Sequence, residues 1–360
     1  MLYELLVPLA KYNTAFNVFR YITFRTAMAT VTALVISFLL GPWLINRLRQ
    51  MQHGESTVRE DTPERHQKTK TGTPTMGGIG ILVAILVSTL LWANLRNRYI
   101  WVLMLATAGL GLIGLKDDWK KLKTRKGISA KEKFGAQILL VGALMAFLYW
   151  WPADGFTTSV VIPFFKGWLI TFGWVWIPFA ILVIVGASNA VNLTDGLDGL
   201  AIGPIVTAGG AFAVIAYLTG NFRAAEYLRI LNVKGTGELT IFCGALVGAA
   251  LGFLWFNSYP AQVFMGDVGS LALGGAIGTL AVLTKSELLL PLIGGIYVVE
   301  AASVIIQVGS FKLTGKRVFK MAPLHHHYEI KGWAEPKIIV RFWILSFMLA
   351  LLALTTLKLR

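Results

Sequence analysis

The sequence predicts an all-α, polytopic membrane protein with about ten transmembrane helices and an active-site cleft at its cytoplasmic face. Of its 360 residues, 56% are hydrophobic and only 14% are charged, whereas a soluble domain is nearer to a quarter charged. Apolar segments of about 20 residues, the length that crosses a hydrocarbon layer of roughly 30 Å, recur along the chain. We therefore expect residues 1–360 to form a single integral membrane domain.

Ten apolar segments are the candidate transmembrane helices. Their approximate bounds are 24–46, 76–94, 99–116, 134–151, 168–187, 199–219, 239–256, 269–284, 288–310 and 339–357. With the N-terminus outside, the loops that follow odd-numbered segments face the cytoplasm and hold 20 of the 33 Lys and Arg residues, against 11 in the outside segments. This bias follows the positive-inside rule and predicts that both termini are periplasmic.

The formal net charge of +15 suits a protein whose basic loops fix its topology or attract anionic lipid heads and phosphorylated substrates. No module that combines aromatic and basic residues accompanies the charge, so no nucleic-acid partner is expected. The single cysteine, Cys243, excludes an intramolecular disulfide. In the ninth segment, Glu300 and Gln307 are polar within apolar surroundings, so both are expected to face other helices rather than lipid.

Two adjacent acids, Asp117 and Asp118, end the third segment beside a dense run of lysines that includes Lys121. Neighbouring carboxylates repel each other unless a cation lies between them. Such a pair suits a general base or a Mg²⁺ site. A solvated helix end, with the acids balanced by lysines, is an equally good interpretation of this pair alone.

A run of oxygen-bearing polar residues and glycine, Asn189 to Gly199, directly follows the fifth segment. Asn189, Asn192, Asp195 and Asp198 recur every third residue, which would place their side chains along one helical face. Glycine at position 196 lets a bound group approach the backbone. A polar helix end with Asn and Asp caps is the alternative.

A third motif contains Asn257, Phe264 and Asp267. Asp267 lies between two glycines, which fits an exposed metal ligand on a tight turn. Phe264 offers either a flat face to a nucleobase or simple packing.

Three consecutive histidines, His325, His326 and His327, form the fourth motif. Adjacent side chains on a helix point in different directions, which argues against one zinc site and favours phosphate contact or proton transfer. In a fifth motif, Lys70 and Thr75 precede a helix together with glycines, as in an anion site at a helix N-terminus.

All five motifs follow odd-numbered segments, so they are expected to meet at one face of the membrane. Acids for Mg²⁺ and lysines for phosphates together favour phosphoryl transfer, which depends on positioning and charge neutralisation. A transporter that uses intramembrane acids is the non-enzymatic alternative, but it would place its acids across the middle of the membrane rather than at one face.

The motifs resemble those of the polyprenyl-phosphate N-acetylhexosamine-1-phosphate transferases, and the resemblance covers essentially the whole chain. It rests on Lys116-Asp-Asp118, on the run Asn189 to Gly199, on Met265-Gly-Asp-Val-Gly-Ser270 and on Pro323-Leu-His-His-His-Tyr-Glu329. The histidine run followed by Lys331-Gly-Trp333 favours members that use a muramoyl-pentapeptide donor over siblings that use UDP-N-acetylglucosamine.

The resemblance implies that phospho-N-acetylmuramoyl-pentapeptide is transferred from its UDP-linked donor to undecaprenyl phosphate, giving lipid I and UMP, in peptidoglycan biosynthesis. It also implies Mg²⁺ as cofactor, ten transmembrane helices in the bacterial inner membrane and a homodimer. A one-step displacement and a two-step path through an aspartyl-phosphate both fit.

The resemblance further implies a role for each motif residue. Asp267 would bind Mg²⁺ and the pyrophosphate, Asp117 would act as the base on the lipid phosphate, and Asp118 and His325 would support the reacting phosphates. The polar part of the cleft would be lined by Lys121, Lys133, Asn189, Asn192 and Asp195. The uracil would be held by Lys70, Gly196, Asp198 and Phe264. Further substrate contacts would come from Thr75, Asn257, Gln307, His326 and His327.

Overall fold

The computed structural model describes residues 1–52, 72–165 and 168–358. Its helices in chain order are α1 Leu2–Leu6, α2 Ile22–Met51, α3 Gly78–Trp92, α4 Arg98–Thr124, α5 Ala130–Trp150, α6 Trp176–Thr194, α7 Ile202–Gly220, α8 Phe222–Leu228, α9 Leu239–Asn257, α10 Gly266–Leu283, α11 Leu290–Ile293, α12 Gly295–Thr314, α13 Leu324–Ile330 and α14 Glu335–Thr355. Two short strands, β1 Ser159–Val161 and β2 Leu169–Thr171, pair antiparallel with Val160 opposite Ile170.

Nine helices of the described residues are long and apolar enough to cross a membrane, and the 15-residue α3 is a shorter apolar helix. Each of the ten predicted segments therefore corresponds to an apolar helix, and the prediction of an all-α polytopic membrane protein is confirmed. Exposed apolar side chains such as Leu139, Leu182 and Ile305 lie on these helices, where lipid replaces water as the neighbour.

Helix α4 continues to Thr124, beyond the predicted end at residue 116. Two other predicted segments are interrupted in the structure. The segment 168–187 was expected to be helical throughout, but residues 169–171 form β2 and the helix begins only at Trp176. A short apolar run cannot be assigned to strand or helix by hydropathy alone. The segment 288–310 is divided into α11 and α12 at Gly294, where a pair of glycines weakens the helix.

Helix α10 is the centre of the bundle, because every residue from Asp267 to Leu283 is buried. It packs closely against α4 and α6, and small residues allow this approach. A Cβ added at Gly114 of α4 would lie 2.2 Å from the Asp267 carbonyl oxygen, and one at Gly274 would lie 2.5 Å from the Ala187 carbonyl oxygen of α6. The three helices that carry the acidic motifs are thereby held in direct contact.

The first residue contacts the end of the bundle remote from Asp267. The amino group of Met1 donates to the Leu90 carbonyl oxygen at 2.8 Å, near the C-terminal end of α3. The opposite end of α3 contacts the start of α10, because the Gly78 N–H donates to the Met265 carbonyl oxygen. Residues 2–20 form α1 and two 3₁₀ turns.

Candidate active site

Two helices bring Asp117 and Asp267 to the same lysine nitrogens. Lys121 Nζ lies 2.7 Å from Asp117 Oδ2 and 2.8 Å from Asp267 Oδ2. Lys133 Nζ is 3.2 Å from Asp117 Oδ2 and also pairs with Asp267 Oδ2. Together with Asp118, whose Oδ1 is 3.7 Å from Lys121 Nζ, these five residues are called the acid–lysine cluster below.

The three acids of the cluster are almost wholly buried, at 3–4% exposure, whereas the lysine side chains remain 33% and 16% exposed at Lys121 and Lys133. The lysines are therefore the solvent-facing part of the cluster. Buried carboxylates need paired charges and hydrogen bonds to offset the loss of water. An incoming anion would meet the lysines first and would compete with the acids for them.

The loop between α4 and α5 holds one oxygen of Asp117 in place. The Ile128 N–H donates to Asp117 Oδ1 at 2.7 Å, and a Cβ at Gly127 would lie only 2.4 Å from that oxygen, so a larger residue would disturb the contact. Helix α5 then begins with a capping box between Ser129 and Glu132, which fixes the first turn. Lys133 lies in that turn and is thereby directed back to the acids.

The turn before α10 positions Asp118 and Asp267. The Val268 N–H in the first turn of α10 donates to Asp118 Oδ2 at 3.1 Å, a favourable place for an anion. Gly266 has φ +73°, and a Cβ there would also lie 2.6 Å from Asp118 Oδ2. Glycine is therefore required at position 266 both for its backbone conformation and for the close approach of the carboxylate.

Asn192 joins α6 to the cluster. Its Nδ2 donates to Asp267 Oδ1 at 2.9 Å and to Ser270 Oγ at 2.7 Å. Asn189, one turn earlier, donates instead to Gln137 Oε1 at 2.8 Å. Only Asn192 of this pair therefore touches an acid of the cluster.

The predicted single helical face from residue 189 to residue 198 is wrong beyond Thr194, where α6 ends. Asp195 is the C-cap and the following residues form turns, because glycines at 196 and 199 interrupt the helix. Asp198 Oδ2 accepts from the Ala261 N–H, and its own N–H donates to Glu335 Oε1. This acid is thus only 4% exposed and links three segments of the chain.

The loop between α9 and α10 is hydrogen-bonded to the turns that follow α6. Asn257 Oδ1 accepts from the Gly199 N–H at 3.0 Å, and its Nδ2 donates to the Val263 carbonyl oxygen at 2.8 Å. Phe264 is half-buried, and its backbone bonds to Pro74 and Gly77. This loop therefore joins the turn after α6 to the segment before α3.

Thr75 lies beside the cluster, because its Oγ1 would be 2.9 Å from a Cβ placed on Gly266. Its backbone is held by Gln52, whose side-chain amide bonds to both the N–H and the carbonyl of Thr75. Lys70, the other predicted member of this motif, lies outside the described residues.

The histidine motif occupies the short helix α13. His326 Nδ1 is 2.7 Å from Glu329 Oε2, and His327 Nδ1 accepts from the Lys320 N–H at 3.0 Å. Gln307 Oε1 accepts from the Val318 and Phe319 N–H groups. Gln307 and His327 therefore bond to the backbone of the loop at residues 318–320. The hydrogen bonds described for them do not involve the acid–lysine cluster.

His325 contacts two motifs at once. A Cβ at Gly196 would lie 2.3 Å from His325 Nε2, which places the imidazole against the turn after α6. Its Nδ1 is 3.2 Å from Glu300 Oε2. Contacts therefore join members of the motifs to one another through Asp267, Asn257 and His325. Their position at one face of the membrane stays a prediction.

Sequence reasoning missed several polar partners at this site. Gln137 bonds to Asn189, Ser270 bonds to Asn192, and Glu335 bonds to the Asp198 backbone. Ser270 stands within the Met265–Ser270 motif and could have been included on that ground. Gln137 lies in an apolar helix at 0% exposure, and its polarity at that position was the available signal.

Mg²⁺ fits the donor atoms of this site. Within residues 1–52, 72–165 and 168–358, no group of three or more His, Cys, Asp or Glu side chains is arranged to hold a metal ion. Protein sites for Mg²⁺, however, often supply only one or two carboxylates, with substrate phosphates and waters as the other ligands. Asp117 Oδ2 and Asp267 Oδ2 converge on shared lysine nitrogens, so both oxygens lie where one cation could be held.

The fold and this cluster define a polytopic helical membrane protein with a buried acidic centre and lysines at its entrance. Residues 100–285 match the profile of Glycosyl transferase family 4. The chain is 57% identical over its whole length to a phospho-N-acetylmuramoyl-pentapeptide-transferase of Syntrophus aciditrophicus, 57% to that of Geobacter sp. strain M21 and 59% to that of Desulfatibacillum aliphaticivorans, with 100% of each relative covered. The chain belongs to the phospho-N-acetylmuramoyl-pentapeptide-transferase family.

Proposed function

We propose that this chain transfers phospho-N-acetylmuramoyl-pentapeptide from its UDP-linked donor to undecaprenyl phosphate, giving lipid I and UMP, in peptidoglycan biosynthesis. The full-length similarity to relatives of that name supports the choice of donor. The observation that carries the chemistry is the convergence of Asp117 and Asp267 on Lys121 and Lys133. Two acids and two partly exposed cations at one point suit a reaction between two phosphate groups.

In the proposed reaction, an oxygen of undecaprenyl phosphate attacks the phosphorus that bears the sugar. A phosphorus–oxygen bond forms there, the bond from that phosphorus to the bridging oxygen breaks, and UMP leaves with the electron pair. Asp117 would accept the proton of the lipid phosphate where it is protonated. Lys121 and Lys133 would turn from the carboxylates to the phosphate oxygens and bind their negative charge.

Mg²⁺ would be held by Asp267, and when bound it would neutralise charge on the pyrophosphate. Asn192 donates to Asp267 Oδ1 at 2.9 Å, which leaves Oδ2 as the oxygen shared with the lysines. The amide thus fixes the orientation of the carboxylate. Asp118, held by the Val268 N–H, would add negative charge that keeps the lysines near the site.

The remaining predicted contacts belong to the proposal as surroundings of the cluster. Asn189, Asp195 and Thr75 would line the donor site. Gly196, Asp198 and Phe264, with Lys70, would hold the uracil, and Asn257, Gln307, His326 and His327 would make further contacts. The hydrogen bonds that join Asp198 and Asn257 to the loop at residues 258–264 suit a binding surface made from several loops.

We place the protein in the inner membrane of a bacterium, with the cluster facing the cytoplasm and both termini periplasmic. The contact of Met1 with Leu90, at the end of α3 remote from the cluster, supports opposite sides for the N-terminus and the site. The excess of Lys and Arg in the loops that follow odd-numbered segments supports a cytoplasmic position for the cluster. A homodimer is proposed on the family resemblance alone.

UMP release by the purified protein in detergent tests this function. The reaction contains undecaprenyl phosphate, Mg²⁺ and either UDP-N-acetylmuramoyl-pentapeptide or UDP-N-acetylglucosamine. We expect UMP from the muramoyl donor only, and its loss when Mg²⁺ is chelated. Release from the glucosamine donor only would instead assign the sibling activity. No release from either donor, by folded protein, would contradict the enzymatic assignment and favour transport.

A further inference from the structure

Glu300 and His325 form a completely buried acid–imidazole pair. Both residues are 0% exposed. Glu300 Oε2 lies 3.2 Å from His325 Nδ1, and Glu300 Oε1 accepts from the His325 backbone N–H at 3.1 Å. A carboxyl group enclosed in this way needs hydrogen-bond donors to replace water, and His325 supplies both of those seen here.

The other ring nitrogen is left for a ligand. His325 Nε2 is buried and has no hydrogen-bond partner among the described residues. It lies against Gly196, where a Cβ would come within 2.3 Å, so any side chain at position 196 would cover it. Gly196 follows the end of α6, the helix whose Asn192 bonds to Asp267. Nε2 is therefore directed to the turn beside the acid–lysine cluster.

We propose that Glu300 is a positioning residue for His325. By accepting the Nδ1 hydrogen, Glu300 fixes the tautomer in which Nε2 carries a lone pair, and it holds the ring in the orientation that leaves Nε2 uncovered. Nε2 then accepts a hydrogen bond from the P–OH group of a phosphate monoester bound at the turn. This inference rests on the proposed function, because undecaprenyl phosphate is the phosphate monoester of that reaction.

The hydrogen-bond donors decide the direction of the Nδ1 contact. A backbone N–H can only donate, so the carboxyl oxygens facing it act as acceptors. A carboxylate that accepts from both the backbone and Nδ1 satisfies all three groups. The same arrangement, an acid that holds the ring through one nitrogen while the other nitrogen meets the ligand, sets the tautomer in metal sites and catalytic triads.

The other titratable groups around His325 have contacts of their own. The His326 ring is 4.2 Å from the His325 ring, but its Nδ1 pairs with Glu329 at 2.7 Å. From α14, Glu335 accepts from the Asp198 N–H. Asp195 adjoins Gly196 in the turn. Glu300 is therefore the acid bonded to the imidazole of His325.

Glu300→Gln tests the proposal because glutamine has the same shape but only one acceptor oxygen. The His325 backbone nitrogen lies 3.1 Å from Glu300 Oε1 and 3.4 Å from Oε2. An NH₂ group cannot accept, so the amide oxygen is expected at the nearer Oε1 position, which leaves the NH₂ at the Oε2 position facing Nδ1. Facing Nδ1, the NH₂ would donate and would move the ring hydrogen to Nε2. The matched control is Glu287→Gln, because Glu287 is also a buried acid, at 2% exposure. It lies beyond the C-terminal end of α10, whereas Asp267 lies at the N-terminal end.

The first readout is ¹⁵N NMR of histidine-labelled protein in lipid discs, which reports the ring tautomer without any turnover. The chain has only five histidines, and His325→Gln assigns the signal. We expect Nδ1–H in the wild type and in Glu287→Gln, and an Nε2–H signal in Glu300→Gln. An Nε2–H tautomer in the wild type, or an unchanged tautomer in Glu300→Gln, would overturn the proposal.

The second readout is kinetic. Glu300→Gln should lower kcat by about 10- to 100-fold, the usual effect of removing such a partner, with KM for the UDP-linked donor within about 2-fold. Combined with His325→Gln, it should cause no further loss, because Glu300 acts through that ring. Additive losses would contradict the proposal. If Glu300→Gln does not fold, Glu300→Asp keeps the carboxylate and should keep the Nδ1–H signal; its loss would count against the proposal.

An inactive wild-type protein would refute the proposed function, whereas an active wild type with an unchanged tautomer in Glu300→Gln would refute the positioning role alone. The two failures are thus distinguishable.

Discussion

Asp117 and Asp267 lie on different helices and share the ammonium group of Lys121, at 2.7 and 2.8 Å. Lys133 makes a second bridge between the same two carboxylates. Each lysine therefore exchanges its contacts with two carboxylates for contacts with a phosphate when a phosphate binds. The arrangement compensates the charge of the buried acids and provides cations that can bind the substrate phosphates instead.

Lys121 and Lys133 are expected to act mainly in binding the donor pyrophosphate. Lys121→Met should raise KM for the UDP-linked donor by about 10-fold or more, because an ammonium–phosphate hydrogen bond contributes roughly 1.5–3 kcal/mol. Lys133→Met should behave in the same way. Steady-state kinetics with varied donor measures both effects. An unchanged KM in both variants would show that the lysines serve only to neutralise the acids.

Asp117→Asn should lower kcat by about 100-fold or more, in the range of a lost general base, and should leave KM for the donor nearly unchanged. Asparagine can still accept from the Ile128 N–H, so the loop between α4 and α5 should keep its position. The pH–rate profile separates the alternatives. A profile that keeps the shape of the wild type, at near-normal turnover, would remove the base role.

The buried ion pair between Arg25 and Glu238 is a stability determinant away from the site. Arg25 is 1% exposed and binds both oxygens of Glu238, at 2.8 and 2.6 Å. Arg25→Met would leave Glu238, whose side chain is 13% exposed, without its cation, so the free energy of unfolding should fall by at most about 3–5 kcal/mol.

Equilibrium unfolding in mixed micelles measures this change, and turnover per folded molecule should be retained. The double variant Arg25→Met with Glu238→Gln is the control, because it removes the unpaired charge and should recover part of the loss. A double variant no more stable than Arg25→Met would contradict the charge explanation.

The contact between His327 and the loop at residue 320 should weaken in acid. Burial lowers the pKa of His327, and the positive charges of Lys331 and Lys320 lower it further. The neutral ring is needed, since Nδ1 accepts from the Lys320 N–H. Because the folded protein disfavours protonation, this stabilisation is present above the ordinary pKa of about 6.5 and is lost as pH falls through the lowered value.

His327→Asn keeps an acceptor atom and does not titrate. When the pH is lowered from 7.5 to 5, the Tm of the wild type should therefore fall by more than the Tm of His327→Asn. A difference that stays constant across this range would contradict the assignment.

Hydropathy predicted the transmembrane helices because lipid exposure imposes long apolar runs. It failed at residues 169–171, where three apolar or β-branched residues pair as a strand, and at Gly294, where one apolar run contains two helices. The placement of five motifs on alternate loops predicted that they lie close together, and the contacts of Asp118 with Val268 and of His325 with Gly196 agree with it. That all five meet at one membrane face stays a prediction. Whether residues 1–360 form one domain stays a prediction.

The spacing of residues in the sequence did not predict which side chains contact each other. The pattern at residues 189–198 predicted one helical face, but the helix ends at Thr194. The hydrogen-bond partners of Asp198, Ala261 and Glu335, lie far along the chain. The sequence indicated that Glu300 is buried, but its partner, His325, is determined by how α13 packs against α12. Such partners depend on tertiary packing, which no local pattern encodes.

The most direct test of the central claim is UMP release by Asp267→Asn. The matched control is Asp154→Asn, since Asp154 is an exposed acid whose only described ion pair is with Lys234. The account predicts that Asp267→Asn folds, with Tm within a few degrees of the wild type, and loses at least 100-fold in turnover, while Asp154→Asn retains it. Near-normal UMP release by Asp267→Asn would contradict the role of the acid–lysine cluster in phosphoryl transfer.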